Sequence, residues 1–312
     1  MKNLARGGLL WYNRNMYTKF KKDTGPKKPL AVSYWSKTKI KCPVCQKEFQ
    51  REEMLTGSGR LNAGALTEEL HREYIPTARY GKINPLIYAI GACPNCHSAF
   101  FWNDFNDIKD QASLDRIYET MEARKKFTNM IFPYYNLTRN RNLLDGAAMY
   151  FLAILTYDEV DFAYLPTMKR AILSLRLAWL CNDLNEEVPD HNFDIVAKVF
   201  YQKAIFFYQQ AVINESKRIE KSSTLANMGP DTDKNYGWDG VVYLCGLLEY
   251  KYGQTEDQAL RLKKLDESKI AIARIFGLGK STKEKPGPLL EHSRTLYDNL
   301  NKELGDADIA IE

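Results

Sequence analysis

The sequence predicts a mainly α protein with a small β region towards its N-terminus. Three observations carry this prediction. From about residue 108 onward, apolar residues recur in steps of three and four, as in Phe193, Val196, Ala197, Phe200, Ala204, Phe207, Tyr208 and Ala211. Before that point the helical period is lost, and short apolar runs such as Ala99-Phe100-Phe101-Trp102 alternate with turn residues. Two matched C-P-x-C motifs, Cys42-Pro43-Val44-Cys45 and Cys93-Pro94-Asn95-Cys96, lie inside this non-helical part.

The helical part reads as Leu143–Tyr157, a stretch around Met168–Leu180 that is apolar nearly all round, the Phe193–Ala211 run, Trp238–Tyr252, Thr255–Phe276 and Leu289–Leu304. Loops are expected at Glu186–His191, Ser222–Tyr236 and Gly277–Pro288. Small residues are spaced as in a helical repeat. Ala171, Leu175 and Ala178 stand at i, i+4, i+7, as do Ala204, Tyr208 and Ala211, while Gly246 and Gly253 are seven apart. Small side chains at that spacing let paired helices approach closely. The expectation is a tetratricopeptide-like antiparallel helical array over 108–312, with an unrelated bundle as the alternative.

Residues 40–107 form the expected cysteine region. Asn84–Gly91 reads as a strand feeding a tight turn, Ala99–Trp102 as the return strand, and Leu66–Tyr74 as a short helix. A C-x2-C turn aims two thiolates at one point, and two such turns complete a tetrahedral set for zinc. The pairs are separated by 47 residues, so the intervening chain is an insertion and not a bare hairpin. The predicted ligands are Cys42, Cys45, Cys93 and Cys96. Four thiolates leave no open position for water, so the zinc is expected to be structural. Redox thiols and an iron–sulfur cluster are the alternatives. Cys93–His97 spells the haem-attachment pattern C-x2-C-H, but that reading leaves Cys42 and Cys45 unexplained. His97 reads as a neighbour of the site, and Cys181 and Cys245 as buried core thiols.

Residues 1–39 are a basic, aromatic arm. They hold ten Lys and Arg against one acid, Asp23, so the net charge of +5 combines an arm at +9 with a remainder at −4. Trp11, Tyr12, Arg14, Lys19, Lys21, Lys22, Lys27 and Lys28 are its candidate partner-binding residues. Leu9-Leu10-Trp11 is cut short by Tyr12-Asn13-Arg14, so no apolar leader is expected, and neither is a membrane span, which needs roughly 18 apolar residues. A reducing cytoplasm is the expected compartment.

Other motifs are incomplete. Gly279-Lys280-Ser281-Thr282 ends like a phosphate-binding loop, but Arg274 stands where the motif needs glycine. Asp231–Asn235 opens like a calcium loop, but Tyr236 and Val242 replace the required glycine and glutamate, so a solvated turn is expected. Asp158, Glu159 and Asp161 read as a solvated face. No catalytic set emerges, and the chain is expected not to be an enzyme.

Taken together, Cys42–Cys45 followed by Lys47-Glu48-Phe49, the run Gly81-Lys82-Ile83-Asn84-Pro85-Leu86-Ile87-Tyr88, Cys93–Cys96 followed by Ala99-Phe100, and the helix Leu175-Arg176-Leu177-Ala178-Trp179-Leu180 resemble a bacterial family known as domain-of-unknown-function family 2225. The similarity runs from about residue 40 to 305. It implies a zinc-ribbon-like head joined to tetratricopeptide-like helices, and no particular enzymatic activity follows from it. Family knuckles usually carry glycine after the second cysteine, where Gln46 and His97 stand here.

The resulting expectation is a non-enzymatic, zinc-stabilised scaffold or adaptor with protein partners. A nucleic-acid-binding protein that uses arm and head is the second reading, and a thiol redox protein the third. Peripheral contact with an anionic membrane is compatible with the first, and no small-molecule substrate is evident.

Overall fold

The computed structural model of the chain describes residues 30–276 and 285–311. Among the described residues helices dominate, and the strands form three two-stranded sheets that all precede residue 102. The protein is therefore mainly α with a small β region, as the change of period predicts. Over the described residues the chain divides into two compact units, one of residues 30–64, 74–164 and 176–197, the other of 65–73, 165–175, 198–276 and 285–311.

In the first unit, β1 (Ser33–Lys41) pairs antiparallel with β2 (Glu48–Met54), Ser33 opposite Met54 and Lys41 opposite Glu48, with a bulge between Trp35 and Lys39. Aromatic and β-branched residues favour the strand here, and Tyr34 donates its hydroxyl to Glu53 directly across the pair at 2.6 Å. The end of the basic segment is thus a β-strand. The second pair in this unit is β5 (Ile90–Ala92) with β6 (Ala99–Phe101), Ala92 opposite Ala99. Ala99–Phe101 is the predicted return strand. Upstream, the expected strand over Asn84–Gly91 begins only at Ile90. Pro85–Tyr88 winds as a 3-10 turn because proline presets its first residue and the Asn84 side chain accepts the Leu86 N–H at 3.1 Å.

Four helices follow: α1 (Asp104–Asp107), α2 (Gln111–Glu119), α3 (Met121–Ile131) and α4 (Leu143–Tyr157). A capping box starts α4, in which Asn142 accepts the Asp145 N–H and Asp145 accepts the Asn142 N–H. Arg139 clamps the same carboxylate with two bonds of 2.8 Å. Nearly every residue of α4 is buried, because α3, β5, β6 and the 3-10 turn all pack on it. Gly146 permits this approach, since a Cβ there would lie 2.5 Å from Ile87 Cγ2.

One buried ion pair ties these pieces together. Glu52 on β2 is fully buried; it accepts the Ser33 hydroxyl at 2.5 Å and the Arg141 N–H at 3.0 Å. The Arg141 Nε lies 3.5 Å from the same carboxylate, and its Nη1 donates to the carbonyls of Ile87 and Ile90 at 2.7 and 2.8 Å. A single guanidinium thus joins β2, the 3-10 turn and β5.

Helices α5 (Pro166–Glu187) and α6 (Phe193–Ser216) each contribute residues to both units. In the second unit, α7 (Gly237–Tyr252), α8 (Gln258–Phe276) and α9 (Gly287–Ile311) pack on one another. Gly246 sits at the α7–α8 contact, where a Cβ would meet Ile272 Cγ1 at 3.1 Å. Ala171, Ala178, Ala204 and Ala211, the small residues expected at close helix contacts, are all fully buried.

Two local expectations are corrected here. Leu66–Tyr74 is not a helix: it holds the end of β3 (Ala63–Leu66), a turn, and β4 (Arg72–Tyr74). Thr67 makes the turn by exchanging bonds with His71 and accepting the Leu70 N–H, which diverts the backbone from helix. Residues 232–235 form the expected exposed turn, but Asp231 at its head is buried. It is 1% exposed, 2.5 Å from His71 Nδ1, and accepts the Arg72 N–H at 2.8 Å. Burial pushes its carboxyl up, but the hydrogen bond and charge of His71 more than offset this and hold it below the ordinary value.

Removing one partner of the Glu52–Arg141 pair leaves a buried charge. Arg141→Met should destabilise the first unit by about 3–5 kcal/mol, read as a lowered urea midpoint. The double variant Glu52→Leu/Arg141→Met should lose much less. Asp231→Asn should destabilise the second unit above about pH 4, where the wild-type carboxylate is ionised. Because the folded-state value is depressed, the difference between variant and wild type should shrink as pH falls below that. Urea titrations at several pH values measure it.

Candidate metal centre

The two C-P-x-C motifs form the tips of the β1–β2 and β5–β6 hairpins, and they are built alike. In the first, the Cys42 N–H donates to Lys47 O at 3.0 Å and the Gln46 N–H to Cys42 O at 3.0 Å. In the second, the Cys93 N–H donates to Ser98 O at 2.9 Å and the His97 N–H to Cys93 O at 2.9 Å. The residue after the second cysteine is left-handed in both, with φ of 60° at Gln46 and 55° at His97. This is why glycine favours the position. Here non-glycine residues hold the same turn, so the departures from the glycine pattern leave the knuckle backbone intact. Each is tied down by its side chain. Gln46 Nε2 donates to Pro43 O at 2.6 Å, and His97 Nδ1 is 2.6 Å from the Tyr135 hydroxyl.

The four sulfurs of Cys42, Cys45, Cys93 and Cys96 all lie within 4.8 Å of one another. Cys42 and Cys96 are 3.6 Å apart, as are Cys45 and Cys93. A tetrahedral ion with metal–sulfur bonds of about 2.3 Å sets its sulfurs about 3.8 Å apart. The donor set therefore fits one thiophilic ion of tetrahedral preference. All six cysteines are free thiols, so no disulfide competes for this geometry. Cys42, Cys93 and Cys96 are fully buried and Cys45 is half-buried.

Sulfurs this close cannot all shed protons without a cation. Hydrogen bonds from Cys93 and Cys96 pull the Cys42 thiol down to about 2, while the bond to Cys42 pushes Cys96 up to about 12 and Cys93 up further. A divalent ion would replace those shared protons. Ser98 Oγ lies 3.1 Å from the Cys96 sulfur and 3.4 Å from that of Cys42. Arg124 on α3 donates to the Cys96 carbonyl at 3.2 Å. Burial drives its guanidinium below the ordinary value, and the negative charge of Cys96, Glu159 and Cys42 opposes this. His97 is pushed down to about 4, first by burial and then by Lys125 and Arg124.

The structure thus brings the four sequence-predicted cysteines to one point. The arm residues Trp11, Tyr12, Arg14, Lys19, Lys21, Lys22, Lys27 and Lys28 lie outside the described residues, as does Gly279–Thr282. Cys181 is buried, and burial raises its thiol; Cys245 is half-buried. Sequence reasoning missed Ser98 and Arg124. Ser98 stands next to the motif, where a hydroxyl is a legible signal. Arg124 lies far along the chain and carries no local signature.

Left-handed backbone is the constraint most easily tested. Gln46→Val should cost about 1–2 kcal/mol, because a β-branched residue resists that conformation. Gln46→Gly should fold at least as well as the Val variant and keep full metal binding. Cobalt titration followed by the thiolate charge-transfer band, with thermal melts, distinguishes them.

Residues 35–300 match the family described as "Uncharacterized protein conserved in bacteria (DUF2225)". A protein of Borreliella burgdorferi (strain ATCC 35210 / DSM 4680 / CIP 102532 / B31), described as "Uncharacterized protein", is 42% identical over 276 residues, which cover 88% of this chain and 98% of that one. No solved structure matches. The family match spans both knuckles and most of the helical region, so the chain belongs to the DUF2225 family of conserved bacterial proteins.

Proposed function

We propose that this protein is a non-enzymatic helical scaffold, held by one structural zinc ion and acting through protein–protein contact in a reducing cytoplasm. The observation that carries the reading is the closed set of four sulfurs within 4.8 Å. That span suits a single ion, and an all-thiolate tetrahedron suits zinc. Once the set is filled, no coordination position is left for a substrate, so the metal's task is to fasten the two hairpins. Binding would contribute on the order of 10 kcal/mol to that fastening.

The helical surface supports the second half of the reading. Val199, Phe206 and Ile213 on α6 are spaced by seven and exposed to 48%, 58% and 41%. They form one apolar stripe, with the exposed lysines Lys198, Lys203 and Lys217 beside it. The α7–α9 stack with Gly246 at a close contact supports a repeat-like array, and such arrays present extended surfaces to partners. Among the described residues no helix is long and apolar enough to cross a membrane. The basic arm would add affinity for an acidic partner.

Metal analysis of protein purified from its native host should give one zinc per chain, together with a co-purifying protein. Phe206→Glu should lose that protein while keeping the zinc. Zinc-free protein of equal stability would overturn the structural-metal reading. A chain that stays alone, or one that instead retains nucleic acid until salt is raised, would overturn the scaffold reading.

A further inference from the structure

Arg124 is 2% exposed, yet its acceptors are all neutral. Nη1 donates to Ile117 O at 2.6 Å and to Thr120 Oγ1 at 2.7 Å, Nη2 donates to Cys96 O at 3.2 Å, and Nε has no hydrogen-bond partner. Neutral dipoles solvate a buried cation without cancelling its charge. Glu159 and the cysteines Cys96 and Cys42 are the anions that act on it. Of these, the cysteines belong to the centre whose Cys96 carbonyl it grips. Four thiolates around a divalent ion leave a net charge of −2, and that charge is also buried.

We propose that Arg124 is the counter-ion of the metal–tetrathiolate centre, and that it couples metal occupancy to the α2–α3 pair. The inference rests on the zinc reading above. The two buried charges have opposite sign and each lacks full compensation alone. With metal bound they compensate each other. The ion would also fix Cys96, whose carbonyl the guanidinium grips, so removing it loosens that hold. The guanidinium's bridge from Cys96 O to Ile117 O and Thr120 Oγ1 spans the α2–α3 junction, so that junction should register the loss. Arg124 is a positioning residue in this scheme: it holds no metal itself.

The test compares wild type, Arg124→Met, Arg124→Gln and Arg124→Lys, each zinc-loaded and chelator-treated. Zinc affinity is read by competition with a chromophoric chelator, and thermal melts are taken in both states. Arg124→Met and Arg124→Gln should weaken zinc about 10–100-fold and melt below wild type when loaded. Metal-free, both neutral variants should fall below wild type by much less than when loaded. Arg124→Lys should recover most of the affinity. Glu159→Gln, which removes the carboxylate that also acts on Arg124, should leave the affinity close to wild type. A merely structural arginine predicts equal losses in both states, and that result would overturn the proposal. So would unchanged zinc affinity in the Gln variant, which keeps a donor even if the Met variant does not fold. A wild-type chain that binds neither zinc nor cobalt overturns the metal reading itself, and this inference with it.

Discussion

Two hairpins with three-residue or bulged strands have little to hold them against each other by backbone pairing alone. In this protein they meet where four sulfurs converge, and the residues around that point are placed by the meeting. Phe49 follows the first knuckle and Phe100 the second; both are buried, and both rings pack on Phe105, at 5.5 and 5.2 Å. Behind them, β6 is pinned to α4 by the Ala99 N–H on Thr156 Oγ1 at 3.1 Å and the Phe101 N–H on Tyr157 Oη at 3.1 Å. The cysteine centre, the aromatic cluster and the buried helix form one continuous packing series.

Polar groups do much of the specifying inside that series. Arg141 satisfies Glu52 and two carbonyls at once, and Asp145 serves both the helix cap and Arg139. Such groups stabilise only when every partner is in place, so they select one arrangement of hairpins and helices over similar ones.

Much of this was legible in the sequence. The matched cysteine motifs named the four sulfurs that converge, because a C-x2-C turn aims both of its thiols to one side. Leu143–Tyr157 was predicted with its true limits, and the capping box of Asn142 and Asp145 is what sets its start. What escaped was set by side-chain bonds to nearby backbone. Asn84 turned an expected strand into a 3-10 turn, and Thr67 turned an expected helix into a hairpin turn. The burial of Asp231 escaped for a different reason: His71, its partner, is 160 positions away. Arg124 was invisible for the same cause, since its meaning depends on the Cys96 carbonyl 28 positions upstream.

The left-handed residues of the two knuckles share a backbone shape but not an anchorage. Gln46 is exposed and bonds only within its own turn, to Pro43 O, beside the half-buried Cys45. His97 is engaged with Tyr135, in the segment leading to α4, beside the fully buried Cys96. The cysteine cluster therefore has an open side, at Cys45, and an anchored side, at Cys96. An ion held there would meet water first at the half-buried Cys45, while Cys96 lies fully buried on the side that Tyr135 anchors.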